Sequence, residues 1–209
     1  LEKAQQHTLE GDALVAIPGD YTFSGKIEFA HDHLYFPPGS HVLFEPGTEF
    51  VFLRDAGIYC GGPLHLKGTE AAPVRISGAG KPESGWNIYI TGFSGPVTVS
   101  HAVLEGMGGI FLNPGDLILT KSPCRISFEM RSSKVVSSYP GEINANDCGD
   151  VLVRDSEFLS PGSRVLVSNS GQTSGVFAYA LSGNVFMRQA SVGISINASP
   201  EASGLVDIS

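Results

Sequence analysis

The sequence predicts an all-β fold in which the chain winds into a solenoid of about eight coils. Short runs with apolar residues at alternate positions recur along the chain, as in strands with one buried face. The same order of strand, corner and strand returns every 22–31 residues, and helical periodicity is nearly absent. A β-sandwich also uses many short strands, but it does not explain a repeat at one coil length.

The N-terminal segment is the one stretch with helical character. Residues 1–10 predict a short helix, which we expect to cap the solenoid because an open end exposes unpaired strand edges. This divides the chain into a cap over residues 1–12 and a solenoid domain over residues 13–209. The last residues still alternate like a strand, so we expect the solenoid to be truncated at its C-terminal end.

A first series of alternating segments supplies one strand in each coil. The central residue of each segment, and the residue two positions later, are predicted to point outward. The segments begin at Ile27, Phe50, Val74, Val97, Phe128, Val151, Tyr179 and Val206.

Two further series lie between these segments. Asparagine follows most strands of the second series, which suits a tight corner because asparagine tolerates the left-handed conformation. The second series begins at Ile88, Ile110, Ile143, Val165 and Ile194. The third series is a single apolar position after a small or polar corner residue such as Ser133, Ser156 or Asn184, and it comprises Leu104, Val135, Phe158 and Phe186.

The segment PLHLKGTEAAPVRI (residues 63–76), followed by GWNI (residues 85–88), resembles right-handed parallel β-helix proteins of the pectate-lyase-like superfamily. Residues 150–158 and 178–186 look like the generic repeat of that fold, and the resemblance covers roughly residues 40–209. It implies a right-handed parallel β-helix of the bacterial surface or secreted type. The superfamily includes polysaccharide lyases, hydrolases, epimerases, phage tailspikes and coils without catalysis, so no single reaction is implied.

Composition restricts the partners. The chain has 13 Lys and Arg against 21 Asp and Glu, a net charge of −8, which argues against nucleic acid because its binders need a basic stripe. No apolar run reaches the length of a transmembrane helix, and no signal-peptide core is found in this chain. Cys60, Cys124 and Cys148 show neither a disulfide framework nor a zinc motif.

The charged outward positions of the first series are the candidate functional site. Arg131 and Arg154 are predicted to stack on neighbouring coils about 5 Å apart, with Glu129 beside them. Arginine binds carboxylate through two parallel hydrogen bonds, so this row suits a polymer that carries uronate groups. A ladder of ordinary surface ion pairs is the alternative.

Acidic residues flank the arginine row, at Asp147, Asp150 and Asp155. A lyase needs a group that stabilises the developing enolate and a base that takes the adjacent proton, and either arginine is a candidate. A hydrolase would instead need two facing carboxylates, for which Asp150 with Glu129, or Asp147 with Glu142, is a candidate pair. The ligand-binding candidates are Arg131, Arg154, Asp147 and Asp155, and the candidates in an enzyme are Arg131, Arg154, Glu129 and Asp150.

Metal chemistry has only weak candidates. Asp147 and Asp150 offer oxygen ligands for calcium, which a lyase would require, and no other cofactor is predicted. His31 and His33, with His41 nearby, have the composition of a metal site but are interpreted as a polar corner. Trp86 begins an inward-facing strand and is predicted to be buried, with a sugar-stacking platform as the alternative.

The sequence favours a non-catalytic β-helix module of a surface or secreted protein, with a structural or carbohydrate-binding role. The first alternative is an enzyme that acts on acidic polysaccharide through the Arg131 and Arg154 row. The second alternative is end-to-end self-assembly through the open ends of the solenoid. An extracellular, cell-surface or periplasmic location is implied by the fold resemblance alone.

Overall fold

The computed structural model confirms the all-β fold. It describes residues 5–6, 13–53, 56–78, 85–90, 95–112, 126–137, 141–146, 148–159, 163–169, 176–186, 194–198 and 203–208. Twenty-four strands and no helix lie within these ranges. No helix in the part of the chain that the structure describes is long and apolar enough to cross a membrane.

The strands are short, in keeping with the three-sided coil that they build. In chain order they are β1 (Gln5–Gln6), β2 (Ala13–Val15), β3 (Asp20–Phe23), β4 (Lys26–Phe29), β5 (His33–Phe36), β6 (His41–Phe44), β7 (Glu49–Phe52), β8 (Gly57–Cys60), β9 (Leu64–Lys67), β10 (Val74–Gly78), β11 (Trp86–Ile90), β12 (Gly95–Ser100), β13 (Ala102–Glu105), β14 (Met107–Leu112), β15 (Ile126–Arg131), β16 (Lys134–Val136), β17 (Glu142–Asn146), β18 (Val151–Arg154), β19 (Glu157–Phe158), β20 (Arg164–Asn169), β21 (Val176–Ser182), β22 (Val185–Phe186), β23 (Ile194–Ala198) and β24 (Ser203–Ile208).

Three parallel sheets run along the solenoid. Sheet A has the order β1-β2-β5-β8-β11-β14-β17-β20-β23, sheet B has the order β3-β6-β9-β12-β15-β18-β21-β24, and sheet C has the order β4-β7-β10-β13-β16-β19-β22. Each coil takes one strand from sheet B, one from sheet C and one from sheet A. The described strands form seven complete coils, from β3–β5 to β21–β23, with β2 before them and β24 after them. The fold is therefore a right-handed parallel β-helix.

The N-terminal edge of sheet A is covered by a strand. Gln5 pairs with Val15 and Gln6 with Leu14 in an antiparallel ladder, so the predicted helix is wrong at these two residues. Pairing with β2 satisfies the backbone groups of the sheet edge directly, which a helix lying across the end does not. The other residues of the segment 1–12 lie outside the described part of the chain, and the domain division at residue 12 stays a prediction.

The core is a column of inward-facing apolar side chains whose character changes along the axis. Phenylalanines fill the first coils, and Phe23 stacks on Phe44 with ring centroids 4.7 Å apart. Aliphatic side chains such as Val151 and Val153 are more frequent in the later coils, where Phe128 and Phe158 are also buried. Trp86 is 1% exposed and donates its Nε1–H to the carbonyl of Glu105 at 2.8 Å, which confirms that it is buried.

The corners between sheets B and C are tight from the fourth coil onward. One or two residues separate the strands there, and one residue of each corner has the left-handed conformation in four successive coils. These residues are His101 (φ 45°), Ser132 (φ 46°), Asp155 (φ 49°) and Gly183 (φ 64°). The predicted corner residues Ser133, Ser156 and Asn184 follow three of them, as expected.

The coil assignment of the first strand series needs one correction. Its members from Val97 onward lie in sheet B, but those beginning at Ile27, Phe50 and Val74 lie in sheet C. Val97 pairs with Leu64, and Val74 pairs with Ala102. Both sheets have the same alternation, and residues 68–73 lengthen the corner of the third coil. The spacing of the segments therefore does not distinguish one sheet from the other.

Candidate binding groove

A row of polar side chains runs across the outer face of sheet B. Lys67 pairs with Ser100, Ser100 with Arg131, and Arg131 with Arg154 in the parallel register. The predicted stacking of the two arginines on neighbouring coils is confirmed. The row also contains Lys67, which the sequence reasoning missed because the strand series had been followed into sheet C.

Ser100 makes a notch in this row. Its short side chain lies between Lys67 and Arg131, whose strand positions are two coils or about 9.6 Å apart. A groove of about 480 Å³ opens at the notch. It is lined by Leu43, Glu45, Pro46, Lys67, Gly68, Thr69, Thr98, Val99, Ser100, Glu129 and Arg131.

The groove holds two cations and two carboxylates. Arg131 Nε lies 3.7 Å from Glu129 Oε1, which is an ion pair but longer than a hydrogen bond. The side chain of Arg131 is 61% exposed, so solvent screens this pair. The guanidinium group therefore keeps donors that can face a ligand in the groove.

A compact loop, residues 68–73, bounds the groove on the N-terminal side. Thr69 and Ala72 exchange backbone hydrogen bonds of 3.1 and 3.2 Å, and Ala72 also accepts one from the backbone N–H of Gly47 at 3.0 Å. Gly68 begins the loop where a β-carbon would lie 2.1 Å from the carbonyl oxygen of His101. The loop is thus fastened to both neighbouring coils and forms a fixed wall.

The other predicted site residues that the structure describes do not line the groove. Arg154 lies one coil beyond it. Asp150 accepts a hydrogen bond from the backbone N–H of Ala178 at 2.9 Å, so its carboxylate supports the next strand. Asp155 turns the corner of its coil, and Asp147 lies outside the described residues. The structure therefore brings Arg131 and Glu129 together and separates Asp150 and Asp155 from them.

His65 lies beside the groove, on the same outer face of sheet B as Lys67. Its Nδ1 lies 2.8 Å from the hydroxyl oxygen of Thr98, which lines the groove. Burial lowers the pKa of His65 below the ordinary histidine value, and the nearby Lys67 and His41 lower it further. The sequence alone does not identify His65 as part of the site, because the pairing of β9 with β12 is not evident from spacing.

The three histidines predicted to form a polar corner make separate contacts. His31 packs against Phe29, His33 meets the Tyr59 ring edge-on, and His41 Nδ1 lies 2.9 Å from Asp20 Oδ1. Within the described ranges, no group of three or more histidine, cysteine or acidic residues has the geometry to hold a metal ion.

Sheet A carries a column of aromatic rings on its outer face. Tyr59 and Tyr89 stack with centroids 4.7 Å apart, and Tyr89 and Phe111 stack at 5.3 Å, both with 17° between the ring planes. Burial raises the pKa of both tyrosines, and the charge of Tyr89 adds to the rise at Tyr59. The rings cover one another's faces, so the column stiffens the sheet and leaves mainly ring edges for contact.

Comparison with protein-family models, with curated proteins and with solved structures finds no match. The class of protein therefore rests on the fold and the site: a parallel β-helix with a mixed-charge groove on one outer sheet.

Proposed function

We propose that this chain is a non-catalytic β-helix module of a surface or secreted protein, and that it binds an acidic polysaccharide in the groove of sheet B. The observation that carries the proposal is the notch at Ser100 between Lys67 and Arg131. Two cations flank a small polar residue there, and a carboxylate placed between them would accept hydrogen bonds from both sides.

The chemistry of the lining supports a sugar acid as the ligand. Thr98, Thr69 and Ser100 supply hydroxyl groups for sugar hydroxyls, while Lys67 and Arg131 supply charge for the carboxylate. Arg154 extends the cationic row by one coil, which suits a polymer with repeated acidic units. The net charge of −8 repels a polyanion at long range, so binding depends on these local cations.

Titration with a polyuronate tests the proposal. Lys67→Ala and Arg131→Ala are each expected to weaken binding by about tenfold or more, because each removes charge-assisted hydrogen bonds to the carboxylate. Arg75→Ala is the matched control, since Arg75 is an exposed cation on sheet C and its loss leaves the groove unchanged. Equal binding by all four proteins would contradict the proposed site.

A lyase is the second candidate, favoured by the stacking of Arg131 on Arg154 beside Glu129. In this β-elimination a base takes the proton next to the uronate carboxylate, an arginine of the row stabilises the enolate, and the bond to the glycosidic oxygen breaks as the double bond forms. Ultraviolet absorbance of the unsaturated product, followed with calcium and with a chelator, measures this reaction. An absorbance increase that is lost in Arg154→Ala would favour the lyase. No increase in absorbance in the unaltered protein would favour the binding module.

Self-association through the solenoid ends stays a prediction, for which sedimentation at several protein concentrations is the measurement.

A further inference from the structure

We propose that His65 sets the pH range in which the groove accepts an anion, by reversing the hydrogen bond that it shares with Thr98. This inference rests on the proposed function of the groove. It assigns to His65 a positioning role, because the imidazole acts on the ligand through the hydroxyl group of Thr98.

The geometry places His65 next to the groove lining, on the outer face of sheet B. His65 pairs with Leu43 on one side and with Thr98 on the other, and Thr98 pairs with Glu129 in the next coil. The hydrogen bond between His65 Nδ1 and Thr98 Oγ1 is 2.8 Å long and partly buried. Thr98 is the only hydroxyl group to which the described contacts connect His65.

The direction of this hydrogen bond depends on protonation. When the imidazole is neutral with its proton on Nε2, Nδ1 accepts, and the hydroxyl group of Thr98 must donate to it. Only oxygen lone pairs then face the groove, which disfavours an anion. When the imidazole is protonated, Nδ1 donates to Thr98 Oγ1, and the hydroxyl proton is released toward the groove.

The groups around His65 determine whether its imidazole is protonated. His65 faces Lys67 on its own strand and His41 on β6, while Glu45 and Glu129 lie on the groove side. Burial and the two basic neighbours favour the neutral imidazole at neutral pH. An anion bound at the notch would offset Lys67 and raise the pKa of His65, so protonation and binding reinforce each other.

A sulfated oligosaccharide is the appropriate probe, because sulfate stays ionised across the range in which histidine titrates. Its affinity is expected to rise about tenfold between about pH 7.5 and about pH 5, which corresponds to a one-unit rise in the His65 pKa on binding. His65→Gln keeps a hydrogen-bonding side chain without a titrating group, and its affinity is expected to stay flat with pH. His41→Gln is the control and is expected to keep the rise in affinity, with its midpoint moved to higher pH because His65 loses one basic neighbour.

Thr98→Val separates the hydroxyl group from the charge of the imidazole. In this variant the affinity for the probe is expected to rise less with acidity, because only the charge of the protonated His65 still contributes. Two results would overturn the inference: affinity that rises with acidity as much in His65→Gln as in the unaltered protein, or affinity that is independent of pH in the unaltered protein. Neither result would contradict the proposed function of the groove. Failure of both polyuronate and sulfated probe to bind at every pH would contradict the proposed function as well.

Discussion

Gly68 shows how one residue allows the groove wall to form. A β-carbon at this position would lie 2.1 Å from the carbonyl oxygen of His101 and 2.7 Å from the backbone nitrogen of Val74. Both neighbours are backbone atoms, one in the corner of the next coil and one at the start of β10, and the backbone N–H of Val74 donates to the carbonyl oxygen of His101, so neither can move without disturbing the ladder. The requirement for glycine arises from the stacking of coils and therefore has no local sequence signal.

Gly68→Ala is expected to lower the free energy of unfolding by about 2–4 kcal/mol, through the backbone shifts that overpacking forces. Gly19→Ala is the control, because its β-carbon would meet nothing closer than 4.0 Å. Urea unfolding of the two variants is the measurement, and equal stability of the two would show that the third coil relaxes freely around residue 68.

Cys60 is expected to be an unreactive thiol. It is fully buried and its Sγ donates to the carbonyl oxygen of Gly62 at 3.4 Å, while burial raises its pKa to about 11. Since the thiolate is the nucleophile, the thiol stays protonated at all pH values below that range. Alkylation at mildly alkaline pH, mapped by mass spectrometry, should label Cys60 only after denaturation. Rapid labelling of Cys60 in the native protein would contradict its burial.

At the scale of elements, the corner between sheets B and C is held by a column of buried polar side chains. Ser133 Oγ accepts from the backbone N–H of Ala102 at 3.1 Å, and Ser156 Oγ accepts from that of Ser133 at 3.3 Å. Asn184 Oδ1 accepts from the backbone N–H of Ser156 at 3.1 Å. Each coil thus satisfies a buried donor of the coil before it, which fixes the register between coils.

Ser156→Ala is expected to cost about 1–3 kcal/mol of unfolding free energy, because it leaves the backbone N–H of Ser133 buried without its acceptor. Ser127→Ala, at an exposed position of β15, should change stability by less than about 0.5 kcal/mol. Thermal and urea unfolding compare the two variants. A result in which Ser156→Ala is as stable as Ser127→Ala would mean that water or a shifted backbone replaces the serine.

The sequence predicted the later coils better than the earlier ones. The second and third series fall in sheets A and C with the expected register, because short corners keep a regular spacing between each strand of sheet B and the next strand of sheet C there. The longer corner at residues 68–73 breaks that regularity and hid the alignment of Lys67 with Ser100. Arg131 and Glu129 were therefore predictable from alternation, while Lys67, Thr98 and His65 required the three-dimensional pairing.

At the scale of the whole molecule, the parallel stacking turns side chains that are distant in sequence into continuous rows. The row on sheet B joins residues 67, 100, 131 and 154, and the resulting groove belongs to no single segment of the chain. The rows of sheets A and C consist of stacked aromatic rings and of paired charges such as Lys134 with Glu157 at 2.8 Å. Only the row on sheet B leaves a notch between two cations in the described part of the chain.

The measurement that tests the central claim most directly is calorimetric titration of a polyuronate into Ser100→Trp. This substitution fills the notch with an outward-facing ring and leaves every charge of the protein in place. The account predicts that Ser100→Trp keeps the circular dichroism spectrum of the unaltered protein and no longer binds the polyuronate. Unchanged affinity in the folded variant would contradict the account, because the polymer would then be bound elsewhere on the β-helix.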